Sequence, residues 1–154
     1  MVEVIVEICR NSAVKYEIKD NKLYVDRILH TPVVYPYNYG YIPNTLAGDG
    51  DPLDAMIIMD SVLIPGSIIN CRIIGVLITE DEKGMDEKII VVPETHIDPD
   101  MSHVSDIKHL NRSVLDKINF FFTNYKKLEI NKWVKVHGFK NNEEATAIFL
   151  NTKL

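Results

Sequence analysis

The hydrophobic pattern of the chain changes period once, near Pro99, and that change is what most restricts its fold. Before it, β-branched residues gather in short segments punctuated by Gly, Pro, Asn and Asp, as expected of strands joined by tight connections. Candidate strands are Val14–Ile18, Lys22–Ile28, Ala55–Asp60, Ser67–Thr79 and Glu87–Pro93, and Asp20-Asn21 suits a hairpin turn. After Pro99, Leu115, Ile118, Phe122, Tyr125 and Leu128 recur at helical spacing, with Ser113 and Asp116 placed for a capping box. A short strand, Trp133–Phe139, and a terminal helix from near Asn142, with Glu143 and Glu144 in its first turn, complete the pattern. Strands first and helices later give an α+β arrangement, a β-barrel-like core with helices laid on it. No repeat, linker or low-complexity tract divides the 154 residues, so one domain spanning 1–154 is expected.

Composition removes several function classes. No apolar run approaches the ~18 residues that a membrane span needs, and Glu3 and Glu7 stand where a secretory leader would be basic. A soluble, cytoplasmic chain is therefore expected, with no membrane partner. A net charge of -5 disfavours nucleic acid, which calls for a basic face. Cys9 and Cys71 stand alone, without a CxxC pattern, and read as buried free thiols. His30, His96, His103, His109 and His137 show no ligand spacing and suit surface or helix-end positions.

The acids are unevenly placed. In Gly48-Asp49-Gly50-Asp51-Pro52-Leu53-Asp54, three carboxylates fall within six residues, between glycines that permit sharp turns and a stiffening proline. Such a cluster is either a solvated acidic turn or a site for a hard divalent cation, since only oxygen donors are present. An EF-hand loop would need Gly where Asp54 stands, and a phosphoaspartate motif would need a strand where Asn44–Gly48 reads as a loop. A second acidic stretch, Glu80–Lys88, lies between two apolar strands and by itself reads as an ordinary charged hairpin. If the two stretches meet, five or more carboxylates share one cavity.

Four of the seven tyrosines fall within Tyr35-Pro36-Tyr37-Asn38-Tyr39-Gly40-Tyr41, at every second position, which would turn them to one side of an extended segment. They either pack over a β core or offer neutral hydroxyls to an anion. Lys and Arg recur beside tyrosines or acids in Lys15-Tyr16-Glu17, Asp26-Arg27 and Tyr125-Lys126-Lys127. Acids for metal ions together with cations for phosphate oxygens are what phosphoryl transfer requires.

These residues resemble the soluble family I inorganic pyrophosphatases, beginning with Asp49-Gly50-Asp51-Pro52-Leu53-Asp54. The resemblance continues through Lys15-Tyr16-Glu17, Val25-Asp26-Arg27, Tyr35–Ile42, Glu80–Lys88, Tyr125-Lys126 and Lys132-Trp133-Val134-Lys135-Val136, in family order. It implies an OB-like five-stranded closed β-barrel with peripheral helices, and Mg²⁺-dependent hydrolysis of pyrophosphate to two orthophosphates, with Mn²⁺ as a substitute ion. By the same resemblance, Asp49, Asp54 and Asp86 hold the tightest ion, with Asp54 bridging to a second. Asp81 and Asp86 hold ions that arrive with substrate, and Glu17 another through water. Asp51 matches the general base. Lys15, Arg27, Tyr39, Lys88, Tyr125 and Lys126 bind phosphate oxygens, while Glu7, Tyr35 and Glu82 match supporting positions.

Two departures stand out. Cys9 replaces a common proline, and Phe120, Asn124 and Lys127 stand where hexameric bacterial members carry His, His and Asp between trimers. A homohexamer is implied, with different contacts and without histidine-based pH sensitivity. The alternatives are a phosphohydrolase of nucleotides or polyphosphate, and an OB-type module binding single-stranded nucleic acid through its aromatics.

Overall fold

The computed structural model describes all of residues 1–154. In chain order the strands are β1 (Val2–Ile8), β2 (Val14–Lys19), β3 (Lys22–Ile28), β4 (Asn38–Ile42), β5 (Leu53–Ile57), β6 (Ile68–Asp81), β7 (Gly84–Pro93) and β8 (Val134–Lys140). Helix α1 (Arg112–Asn124) precedes β8 and α2 (Asn142–Thr152) follows it. Five strands close a ring in the order β1-β4-β5-β7-β6 and back to β1, every pairing antiparallel except β5 with β7. This is the OB-like closed barrel that the resemblance implies. β8 adds to the far side of β6, and β2 with β3 forms a separate two-stranded sheet.

Side-chain alternation along the ring strands builds two cores. One parity turns Val2, Val4, Val6, Ile42, Leu53, Ala55, Ile57, Ile89 and Val91 into one cluster, which also takes in Ala145 of α2. The opposite parity places Tyr39, Met56, Leu77 and Ile90 against Ile118, Phe121 and Phe122 of α1. A bulge between Val6 and Ile8 moves Ile8 into this second cluster. The second face matters for function, because Asp54 and Lys88 share its parity with Met56 and Ile90.

Closure of the ring depends on Gly40, opposite Val6 in the β1–β4 ladder. A Cβ there would lie 1.8 Å from the Ile5 carbonyl oxygen. Gly40→Ala is expected to destabilise the protein by about 3 kcal/mol or more, because backbone has to move to admit the methyl. Urea unfolding of the variant measures this, and unchanged stability would contradict the close approach.

The structure corrects several sequence expectations. β1 and β4 add two ring strands to those expected. The strand expected at Ala55–Asp60 begins at Leu53 and ends at Ile57, because Leu53 already pairs with Ile42. Glu80–Lys88 forms the expected hairpin, but its strands pair further toward the tip than read, running to Asp81 and restarting at Gly84. The Ser113/Asp116 capping box does not form: Asn111 is the N-cap and Asp116 instead accepts from Arg112 Nε at 3.1 Å. Leu128 lies beyond the end of α1. Single 3-10 turns at Pro99–Met101 and Ile107–His109 were not signalled by periodicity. The terminal helix starts at Asn142 as read, capped by Asn141, whose side chain accepts from Glu144 N at 2.9 Å. Cys71 is buried as expected, but Cys9 is only partly so.

Candidate active site

The antiparallel β4–β5 and parallel β5–β7 registers set Tyr41, Asp54 and Lys88 in one row across three strands. The next row is Tyr39, Met56 and Ile90, so the polar site begins where the apolar seat of α1 ends. Here a cavity of about 360 Å³ opens beside the end of α1. Its aromatic wall is rigid: Tyr35 lies 4.3 Å from Phe121 and 4.9 Å from Tyr39 between ring centroids, and Tyr125 stacks on Phe121 at 5.1 Å.

The first acidic segment is anchored at its base by Thr45. Its buried hydroxyl donates to Ile42 O at 2.6 Å and accepts from Leu53 N at 2.9 Å. Beyond it, Asp49 Oδ1 accepts from Asp51 N at 3.0 Å, and Gly50 takes the positive φ of 88° that the turn requires. Asp49 and Asp51 are consequently exposed at the mouth, while Asp54 lies deeper on β5. The β6–β7 hairpin supplies the opposite acids. Asp81 Oδ1 accepts from Lys83 N at 2.9 Å across its turn, and Thr79 Oγ1 donates to Asp86 O at 2.6 Å.

Cations enter from three sources. Lys15 and Arg27 are paired across the β2–β3 sheet. Lys126, just past α1, reaches Asp81 Oδ2 at 3.4 Å. Lys88 is deepest, with Nζ 2.8 Å from Asp54 Oδ2 and 2.6 Å from Asp86 Oδ2. Burial alone would lower the Lys88 pKa, but the facing Asp54 raises it well above the usual lysine range. Burial raises Asp86, opposed by Lys88, and pushes Glu7 up to about 7. Burial also raises Tyr35 and Tyr39 well above the usual phenol range, so both are neutral donors at pH 7.

Fourteen of the fifteen residues singled out from the sequence line this one cavity. They are Glu7, Lys15, Arg27, Tyr35, Tyr39, Asp49, Asp51, Asp54, Asp81, Glu82, Asp86, Lys88, Tyr125 and Lys126. Glu17 does not: it pairs with Lys19 at 2.9 Å and lines a neighbouring pocket that shares Glu7 and Tyr41 with the cavity. The tyrosine run does not act as one face, since Tyr37 packs under Arg10 at 5.3 Å. Tyr41, Lys83, Glu129 and Lys132 also line the cavity, although none had been given an individual role. For Tyr41 the tyrosine alternation on β4 had already given the signal, without separating it from Tyr37.

The lining holds eight carboxylates and six cationic side chains, with no cysteine or histidine. Such a donor set fits hard divalent ions. No three of the acids are gathered as a ready chelate, and the two most closely linked are held by Lys88. A polyanionic ligand could enter only with cations to balance these acids.

The profile of the family described as inorganic pyrophosphatase matches residues 4–153. The inorganic pyrophosphatase of Helicobacter pylori (strain ATCC 700392 / 26695) is 50% identical over 147 residues, covering 94% of this chain and 85% of that protein. That of Nanoarchaeum equitans is 51% identical over 147 residues, covering 96% and 92%. A solved inorganic pyrophosphatase structure from Helicobacter pylori matches with a TM-score of 0.93 and 48% identity, covering 97% of this chain and 89% of that one. The one from Thermus thermophilus matches at 0.91 and 38%, covering 97% and 87%.

Proposed function

Because the chain belongs to the inorganic pyrophosphatase family, we propose that its cavity hydrolyses pyrophosphate to two orthophosphates with Mg²⁺ as the working ion and Mn²⁺ as a substitute. The observation that carries this reading is the convergence in one cavity of two separate acidic segments and three separate sources of cations. The family implies a divalent metal cofactor. Asp49, Asp54 and Asp86 would hold the tightest ion, Asp81 and Asp86 those arriving with substrate, and Glu17 one through water. Bound ions would activate the attacking water and neutralise phosphate oxygens.

The remaining work falls to the chain itself. Asp51, exposed at the mouth, takes the proton from the attacking water. Lys15 and Arg27 on one wall and Lys126 with Tyr125 on another address the two phosphates, and Lys88 and Tyr39 donate from the floor. These donors stabilise charge that develops on the leaving orthophosphate. Tyr35 packs Tyr39 and Tyr125 into position, and Glu7 and Glu82 support the acidic wall.

Residues 1–154 act as one catalytic domain in this reading. Its setting is the cytoplasm, and no helix is long and apolar enough to cross a membrane. The assembled form is a homohexamer, in which Phe120, 62% exposed on α1, supplies an apolar contact in place of histidine. Sedimentation of the purified chain tests that assembly. The reaction is tested by orthophosphate release from pyrophosphate, ATP and tripolyphosphate in Mg²⁺. Preference for pyrophosphate supports the reading, whereas preference for ATP or tripolyphosphate would replace it with the broader phosphohydrolase.

A further inference from the structure

Lys88 is only 5% exposed at its side chain, and its ammonium is bonded to Asp54 from β5 and Asp86 from β7. A lysine is almost never buried this deeply unless paired, and here two carboxylates share the task. The rings of Tyr39 and Phe122, each with its centroid 5.5 Å from Nζ, complete the enclosure. Without a cation between them, two half-buried carboxylates on neighbouring strands would repel each other in a site that water screens poorly.

The Oδ2 atoms of Asp54 and Asp86 that bond Lys88 belong to the carboxylates assigned above to the tightest divalent ion. They cannot serve both cations fully, since a hard ion draws on the same lone pairs and is repelled by a neighbouring ammonium. We propose that Lys88 is a resident counter-ion that holds Asp54 and Asp86 together in the metal-free protein and yields their oxygens when a divalent ion loads. The displaced ammonium then becomes available to phosphate oxygens, so metal loading and phosphate binding are coupled through one side chain. The inference rests on the metal reading of the site and adds an order to it: the ion first, the phosphate contact second.

The test uses metal-free protein titrated calorimetrically with Mg²⁺ in the absence of pyrophosphate, alongside thermal unfolding in EDTA. Lys88→Met removes the charge while keeping an unbranched apolar stem, and Lys88→Arg retains the charge. Lys88→Met is expected to bind its tightest Mg²⁺ about tenfold more tightly than the wild type and to unfold at lower temperature in EDTA. Lys88→Arg should stay within about twofold of wild type in affinity, because the competing charge remains. Equal or weaker Mg²⁺ binding by Lys88→Met would overturn the proposal. If that variant does not fold, the wild type decides through nitrogen-15 NMR of its lysine ammonium groups. A bonded signal in EDTA, absent from Lys88→Arg, should shift as Mg²⁺ saturates the calorimetric site; an unchanged signal would overturn the proposal. Failure of wild type to take up any Mg²⁺ would instead remove the metal reading beneath it.

Discussion

Asp51→Asn is expected to lower kcat about a thousandfold, the contribution of a well-placed general base. KM and Mg²⁺ affinity should stay close to wild type. The separation follows from where Asp51 sits. Its side chain is exposed, and the local turn is held by other atoms: Asp51 N donates to Asp49 Oδ1 at 3.0 Å and Asp51 O accepts from Ala47 N at 2.8 Å. An amide of the same shape leaves those bonds intact but cannot accept a proton from water. Stability should therefore change by no more than about 0.5 kcal/mol, as at other exposed positions. Steady-state kinetics with a thermal melt checks this, and near-normal turnover would show that another group is the base.

Asp54→Asn is expected to fail differently. Asp54 belongs to β5, pairs through its backbone with Tyr41 and Lys88, and shares the Lys88 ammonium with Asp86. Loss of its charge removes a proposed metal ligand, so Mg²⁺ affinity should fall about a hundredfold, at least the effect seen when partners of metal ligands are removed. Raising Mg²⁺ should restore part of the turnover, which it should not do for Asp51→Asn. Calorimetry and the Mg²⁺ dependence of kcat measure both effects. Equal rescue of the two variants by Mg²⁺ would collapse the distinction between ligand and base.

The contrast between these neighbouring residues also shows what could be read from the sequence. Asp49, Asp51 and Asp54 stand out because three acids crowd six residues, but by themselves they read as a solvated turn or a cation site; the second acidic stretch and the scattered Lys, Arg and Tyr were needed to make them part of a candidate site. The ring strands β1 and β4 were harder to find. Val2, Val4 and Val6 alternate with Glu3, Ile5 and Glu7 as a half-buried strand should, but the segment was read only for its acids, and β4 is a tyrosine-rich segment centred on Gly40. The hairpin at Glu80–Lys88 was legible but the reach of its strands was not: acids and glycine are poor strand formers, yet backbone pairing of Thr79 with Asp86 and Glu80 with Met85 carries the ladder to its tip. Glu129 and Lys132 line the cavity from the segment between α1 and β8, a position fixed only by tertiary packing. Glu17 shows the converse, since a residue in a matching motif lies beside the cavity rather than in it.

In the proposed reaction, the acids and cations that meet in this cavity cleave pyrophosphate with the help of divalent ions. Orthophosphate release from pyrophosphate by the purified chain, in excess Mg²⁺ and again in EDTA, tests it most directly. The expected result is rapid release of two orthophosphates per pyrophosphate in Mg²⁺ and its loss in EDTA; no release in excess Mg²⁺, or release undiminished by EDTA, would contradict the account.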